Sequence, residues 1–389
     1  MLSSSTIIAD GSPLYKELAT RSISSTIGES FLYAFIFSVG TLGNVAMLLV
    51  LYKNHRLRNI TAYFVISLAI SDIIMLDICA PFSIGVLIVG DWIFGYLLCQ
   101  IQGFLVTWVA CASLGTLALL AINRQKESQR FHLTQRKNLD KAHLSLEWNS
   151  FNCRKTNKMC PYRYFHIVKT SMYRVIFTSA KAKLIVLGGW IAALSSPLTY
   201  TAAGKDYVFQ PGKFFCYFES KFSLLTLPSY IFVGISLVIL IVCYLRVFKA
   251  LKIHERTVAK NLRNGNTRKV SLSIEDIKVT KILFATVVGF IFCWIPISVL
   301  NVVDHFLGSG WDLTRETYYM YSIFGISSSA INPIIYGVMN PSYRKAYLRL
   351  FGIHRVGRVA GELPKNIHDH PRTKAVETHL RELNNLSIN

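Results

Sequence analysis

The stretch Cys99–Arg124, CQIQGFLVTWVACASLGTLALLAINR, decides the fold. It is almost wholly apolar, opens on a cysteine and closes on Asn123-Arg124. At 1.5 Å of rise per residue, its 25 steps as a helix cover roughly 37 Å, against about 30 Å of hydrocarbon in a bilayer. The cysteine would then sit at one membrane face and the arginine at the other. A buried soluble helix rarely keeps this composition over such a length, so the stretch reads as a membrane-spanning helix with a functional group at each end.

Working outward, the chain has 389 residues, 52% hydrophobic and 16% charged, with a mean hydropathy of +0.38. That balance is ordinary for a polytopic membrane protein and poor for a soluble one. Seven apolar runs lie near 31–52, 61–89, 97–124, 182–203, 224–247, 278–303 and 317–338. The net charge of +21 first suggests nucleic acid, but its distribution excludes that reading. With the N-terminus outside, the outer segments 1–30, 90–96, 204–223 and 304–316 total −3, and the inner segments total +26. All the excess positive charge falls on one side, as the positive-inside rule requires. The first 30 residues hold no basic region followed by an apolar core, so the first span is expected to act as the insertion signal. Eight cysteines without CxxC spacing argue against a zinc site, and only Cys99 and Cys216 fall on the outer side.

Taken in order, the spans place polar groups at membrane depth. Asn44 in span 1 needs a polar partner on another helix, and Asp72 in span 2 sits near mid-bilayer, where carboxylates usually mark an ion, proton or ligand pathway. The plainer reading of Asp72 is a helix–helix hydrogen bond. Pro81 is expected to kink span 2, and Trp92 to serve as an interfacial anchor. After Arg124 the pattern breaks. Residues 125–163 are polar and basic, with no span-like or amphipathic period. Span 6 carries Phe292-Cys293-Trp294-Ile295-Pro296 and span 7 ends Asn332-Pro333-Ile334-Ile335-Tyr336. A proline inside a membrane helix frees a carbonyl and makes a hinge. Beyond Asn340-Pro341, the segment SYRKAYLRLF suits a short helix lying on the inner membrane surface, and the tail 352–389 reads as disordered. The sequon at Asn385 lies on the inner side and is discounted.

Together these residues resemble the rhodopsin-like (class A) G protein-coupled receptors. The matches are Asn44, Leu68-Ala69 with Asp72, Cys99, Asn123-Arg124, Trp190, Cys216, Tyr244, Trp294 with Pro296, and the Asn332-Pro333…Tyr336 segment, in order over most of the chain. The Asn-Arg form of the span 3 motif looks like melatonin receptors and the related moody-type receptors. The resemblance implies an all-α seven-transmembrane bundle with a cytoplasmic amphipathic helix 8, and no enzyme. It implies a disulfide between Cys99 and Cys216. It implies an activation switch of Asn123, Arg124, Tyr244, Asp276, Trp294, Pro296, Asn332, Pro333 and Tyr336, in which Arg124 holds the inactive state and then meets the G protein when span 6 swings out. Asp72, Ser113, Ser329 and Asn332 look like an allosteric sodium pocket of hard oxygen ligands.

Several departures shape the expectation of function. Excising 125–163 gives INR-YFHIVKTSMY, a seamless family sequence with Ile167 and Tyr173 at the expected offsets. The segment is therefore read as a retained intron or gene-model error, with a genuine long loop as the alternative. Val106 stands where amine receptors keep an aspartate, Ile326 where opsins keep the retinal lysine, Phe232 where melatonin receptors present a histidine, and Ser236 where the family keeps a span 5 proline. No Schiff base with retinal can form at Ile326. The expected pocket of Val106, Thr107, Ala110, Phe218, Phe232, Trp294, Ser298, Asn301 and Ser322 is apolar with a few neutral hydrogen-bonders, suited to a small neutral or lipid-like ligand.

The reading is a multi-pass plasma-membrane receptor with domains 1–30 (extracellular), 31–351 (receptor bundle) and 352–389 (cytoplasmic tail). Its partners are an extracellular small molecule, a heterotrimeric G protein, arrestin and the bilayer, with no nucleic acid. A signalling-impaired isoform caused by 125–163 is the alternative. A seven-helix transporter would show inverted repeats, and none is visible.

Overall fold

The computed structural model describes residues 13–58, 60–148, 179–219, 224–263, 267–306, 313–350 and 352. Among them, seven helices are long and apolar enough to cross a membrane: Ile23–Lys53, Ile60–Val89, Gly95–Lys126, Ala180–Ala202, Leu224–Lys249, Thr280–Val303 and Arg315–Met339, spans 1 to 7. Within hydrocarbon every backbone N–H and C=O must find its partner inside the segment, and a helix achieves this. Span 1 begins eight residues earlier than its apolar run, because Ser22 caps it by accepting from the Ser25 N–H at 3.2 Å. A polar extension of a helix beyond the bilayer leaves no hydropathy signal.

Span 3 runs through the middle of the bundle, between spans 2, 4 and 5. Trp108 and Trp190 lock it to span 4. Their rings meet edge to face at 5.5 Å, and the Trp108 indole donates to the Trp190 carbonyl at 3.1 Å. The Trp190 indole in turn donates to Ser67 on span 2 at 2.8 Å. The amide of Asn44 finds its partner across the bundle, donating to the Ser329 carbonyl on span 7 at 2.9 Å. Leu114, Leu117, Leu120, Phe64 and Leu240 fill the core toward the Arg124 end.

Four features differ from the sequence expectation. Span 2 departs from regular α-helix before Pro81, in a π-helical segment, Ile74–Cys79, and the α-helix resumes at Ala80 with the proline in its first turn. Trp92 is not an interfacial anchor. It is buried, its indole donates to the Gly95 carbonyl at 3.0 Å, and it packs among Phe82, Phe94 and Phe209. The helix of span 3 does not stop at Arg124 but continues to Trp148. Glutamine, lysine, arginine, glutamate and leucine sustain a helix, and neither glycine nor proline occurs from Thr116 to Cys160. The remainder of the 125–163 segment lies outside the described residues, as does the tail beyond Gly352. Finally, ahead of span 1 a short helix that hydropathy did not mark, Pro13–Ala19, buries Leu18 against the Cys99 end of the bundle.

Two short strands, β1 (Val208–Gln210) and β2 (Phe215–Tyr217), form an antiparallel hairpin that pairs Phe209 with Cys216. Its turn places Phe214 at φ 63°, left-handed backbone unusual for a side chain of that bulk. A ten-residue helix, Pro341–Leu350, follows span 7 and buries Tyr343 against Tyr336, ring centroids 5.6 Å apart.

Candidate functional site

The bundle encloses a cavity of about 430 Å³. Spans 3, 6 and 7 supply most of the expected lining: Val106, Thr107 and Ala110, then Trp294, Ser298 and Asn301, then Ser322, with Phe218 arriving from the hairpin side. Phe232 is the exception and corrects the expectation. Its ring fills the space opposite Gly115, whose absent Cβ would lie 3.1 Å away, and it packs against the Cys111, Ala112 and Ala193 cluster and is not among the cavity-lining residues. Tyr33, Gln102, Tyr217, Tyr230 and Tyr321 also line the cavity, and sequence reasoning missed them. Only the glutamine at membrane depth carried a signal that could have been used.

The roof is the hairpin, tied to span 3 by the Cys99–Cys216 disulfide with the Cα atoms 5.3 Å apart. Two glutamines on opposite sides of span 3 fix its height. Gln100 exchanges two hydrogen bonds with Tyr207, at 2.8 and 2.9 Å. Gln102 accepts from the Cys216 N–H at 2.9 Å and donates to the Cys79 carbonyl on span 2 at 3.0 Å. Gly103 lets the roof descend, since a Cβ there would lie 2.4 Å from the Tyr207 ring. Burial pushes the Tyr207 and Tyr217 phenols well above their ordinary range, so both stay neutral. At the roof's edge Lys213 is buried, its ammonium 5.0 Å from the Tyr321 ring centroid and 3.4 Å from Asn301 Oδ1. The Tyr321 hydroxyl donates to that same oxygen at 3.2 Å. This cation was not anticipated, because it enters from the hairpin turn.

The floor is Trp294, stacked on Phe290 with centroids 5.3 Å apart. Its indole N–H is buried with no hydrogen-bond acceptor among the described residues. Below it the cavity reaches Asp72, which accepts from Asn332 Nδ2 at 2.9 Å. The Asn332 and Asn44 side-chain oxygens are buried and likewise lack a described donor. Ser113 lines the same space but donates to Ser71 at 2.7 Å. This oxygen-rich set fits a small hard cation in its chemistry. No group of three or more His, Cys, Asp or Glu that could hold a metal occurs among the described residues.

At the far end, Asn123 is fully buried and Arg124 donates to the Thr61 hydroxyl on span 2. The Tyr244 hydroxyl donates to the Leu283 carbonyl at 3.3 Å, bridging spans 5 and 6. Pro296 and Pro333 lie inside their helices, and Gly43 packs directly on Pro333. Asp276 lies on the span 6 helix, but its side chain is outside the described residues.

Seven apolar helices around a roofed interior cavity define a multi-pass membrane bundle. The description "7 transmembrane receptor (rhodopsin family)" matches residues 43–130 and 161–336, and the chain belongs to that family. Members are signal-transducing receptors, not enzymes. The unmatched gap falls within the 125–163 segment. The chain is 28% identical over 321 residues to Melanopsin-B of Xenopus laevis, covering 82% of this chain but only 53% of that protein. It is 23% identical to neuropeptide Y receptor type 1 of Xenopus laevis, over 80% of this chain and 77% of the relative. Against melatonin receptor type 1A of Mus musculus the identity is 24%, over 82% and 79%. The crystal structure of squid rhodopsin superposes with a TM-score of 0.66 at 18% identity, covering 88% of this chain and 89% of that one, which shows the shared fold.

Proposed function

We propose that the chain is a plasma-membrane receptor, N-terminus outside, that binds a small neutral or lipid-like ligand and activates a heterotrimeric G protein through movement of span 6. The observation that carries this reading is the cavity. It is apolar and aromatic, it ends on the partnerless indole N–H of Trp294, and Trp294 lies two residues from the Pro296 hinge. A ligand pressing on that indole acts on the hinge of the helix that must move. Ile326 lines the cavity and offers no amine, which argues against covalent retinal, whatever the likeness to an opsin. Arrestin is a partner by the same family logic. The reading predicts that a neutral amphiphile found by thermal shift raises the Tm of the wild-type chain and not that of Ala110→Trp, which fills the cavity. An equal shift in both would remove the cavity from the account.

Asp72, Ser113, Ser329 and Asn332 are proposed to hold a sodium ion that restrains the inactive state. A Tm that rises in sodium over matched choline salt for wild type, and not for Asp72→Asn, is the expected result; the same rise in both would reject the site.

A second reading is favoured by the span 3 helix running on to Trp148. With 125–163 present, Arg124 is separated from the segment that would meet the G protein, and the chain is a signalling-impaired form.

A further inference from the structure

Span 2 carries two aspartates five residues apart that face opposite ways. Asp72 points inward to Asn332, while Asp77 lies on the exposed, membrane-facing side. The π-helical segment Ile74–Cys79 contains Asp77 and sets its direction, and such segments recur at functional positions. Asp77 is within about 4 Å of the midpoint of the Ile60–Val89 helix, by rise per residue. Its one hydrogen bond among the described residues comes from the Thr41 hydroxyl on span 1, at 2.7 Å. Around the pair, spans 1 and 2 expose Leu42, Val45, Ile70 and Ile78.

A carboxyl group at this depth normally faces the bundle interior or water, because hydrocarbon supplies no donor. Here it faces outward with one donor. We propose that the span 1–span 2 face around Asp77 is an intramembrane docking surface for a membrane-spanning helix that carries a lysine or arginine at matching depth. Depth excludes lipid head groups and sterol hydroxyls, which sit near the interfaces. A second copy docking through the same face would bring two acidic groups together with no basic group between them. A cation on a partner helix supplies donors and opposite charge together, with the exposed aliphatic residues packing alongside.

The test uses the full chain in phospholipid vesicles and, as probe, a polyleucine transmembrane peptide with one central lysine, read by energy transfer. Association about tenfold stronger than that of the all-leucine peptide is expected. It is lost in Asp77→Leu, a chain whose Tm is checked alongside, and it weakens when the lysine is moved one turn along the wild-type chain's probe. Equal association of both peptides, or association retained in a folded Asp77→Leu chain, overturns the proposal. Energy transfer between receptor copies that disappears in Asp77→Leu assigns the face to a second copy and overturns it too.

Discussion

Gly43 shows how single residues set this structure. A Cβ there would lie 2.6 Å from the Pro333 ring, so the missing atom lets spans 1 and 7 pack directly at this level. Gly43→Val is expected to cost about 1–3 kcal/mol by overpacking, read as a lowered Tm and reduced surface expression. An unchanged Tm would show that the two helices part easily. The polar pairs were legible for the same physical reason: an amide or carboxylate at membrane depth demands a partner, and Asn44 and Asp72 both have one on span 7. Phe232 and Trp92 were not legible. An aromatic ring on a span can face the cavity, a neighbouring helix or the interface, and only the packing decides. Gly115 opened a place for Phe232, and three phenylalanines enclosed Trp92. Lys213 escaped notice because no periodicity governs a hairpin turn.

At the scale of elements, the seven spans could be read from hydropathy because hydrocarbon thickness fixes their length. The hairpin, the π-helical segment and the short helix Pro13–Ala19 left no such trace, being held by tertiary contacts instead of composition. The segment after Arg124 is the sharpest difference. Its polar composition marked it as foreign to the family pattern, yet the same residues are good helix formers, and the helix extends to Trp148. Deleting 125–163 would join Arg124 to Tyr164. Cells expressing the deletion and the full chain at equal surface density are expected to differ in nucleotide exchange, with the deletion stronger. Equal signals would make the segment a tolerated loop.

For the whole molecule, the disulfide-tied hairpin, the cavity and the half-buried Arg124 form one column along span 3. Gln102 couples the roof to span 2, Trp294 forms the floor above Asp72, and Arg124 meets Thr61 at the base. Under the proposed receptor function, a ligand in the cavity would act on the polar contacts at the Arg124 end through this column. The most direct measurement is nucleotide exchange on a heterotrimeric G protein by the chain lacking 125–163, in lipid vesicles. Exchange above that of receptor-free vesicles, falling when Arg124→Ala is introduced, is expected. Exchange no higher than in receptor-free vesicles, or unaffected by Arg124→Ala, would contradict the proposed function.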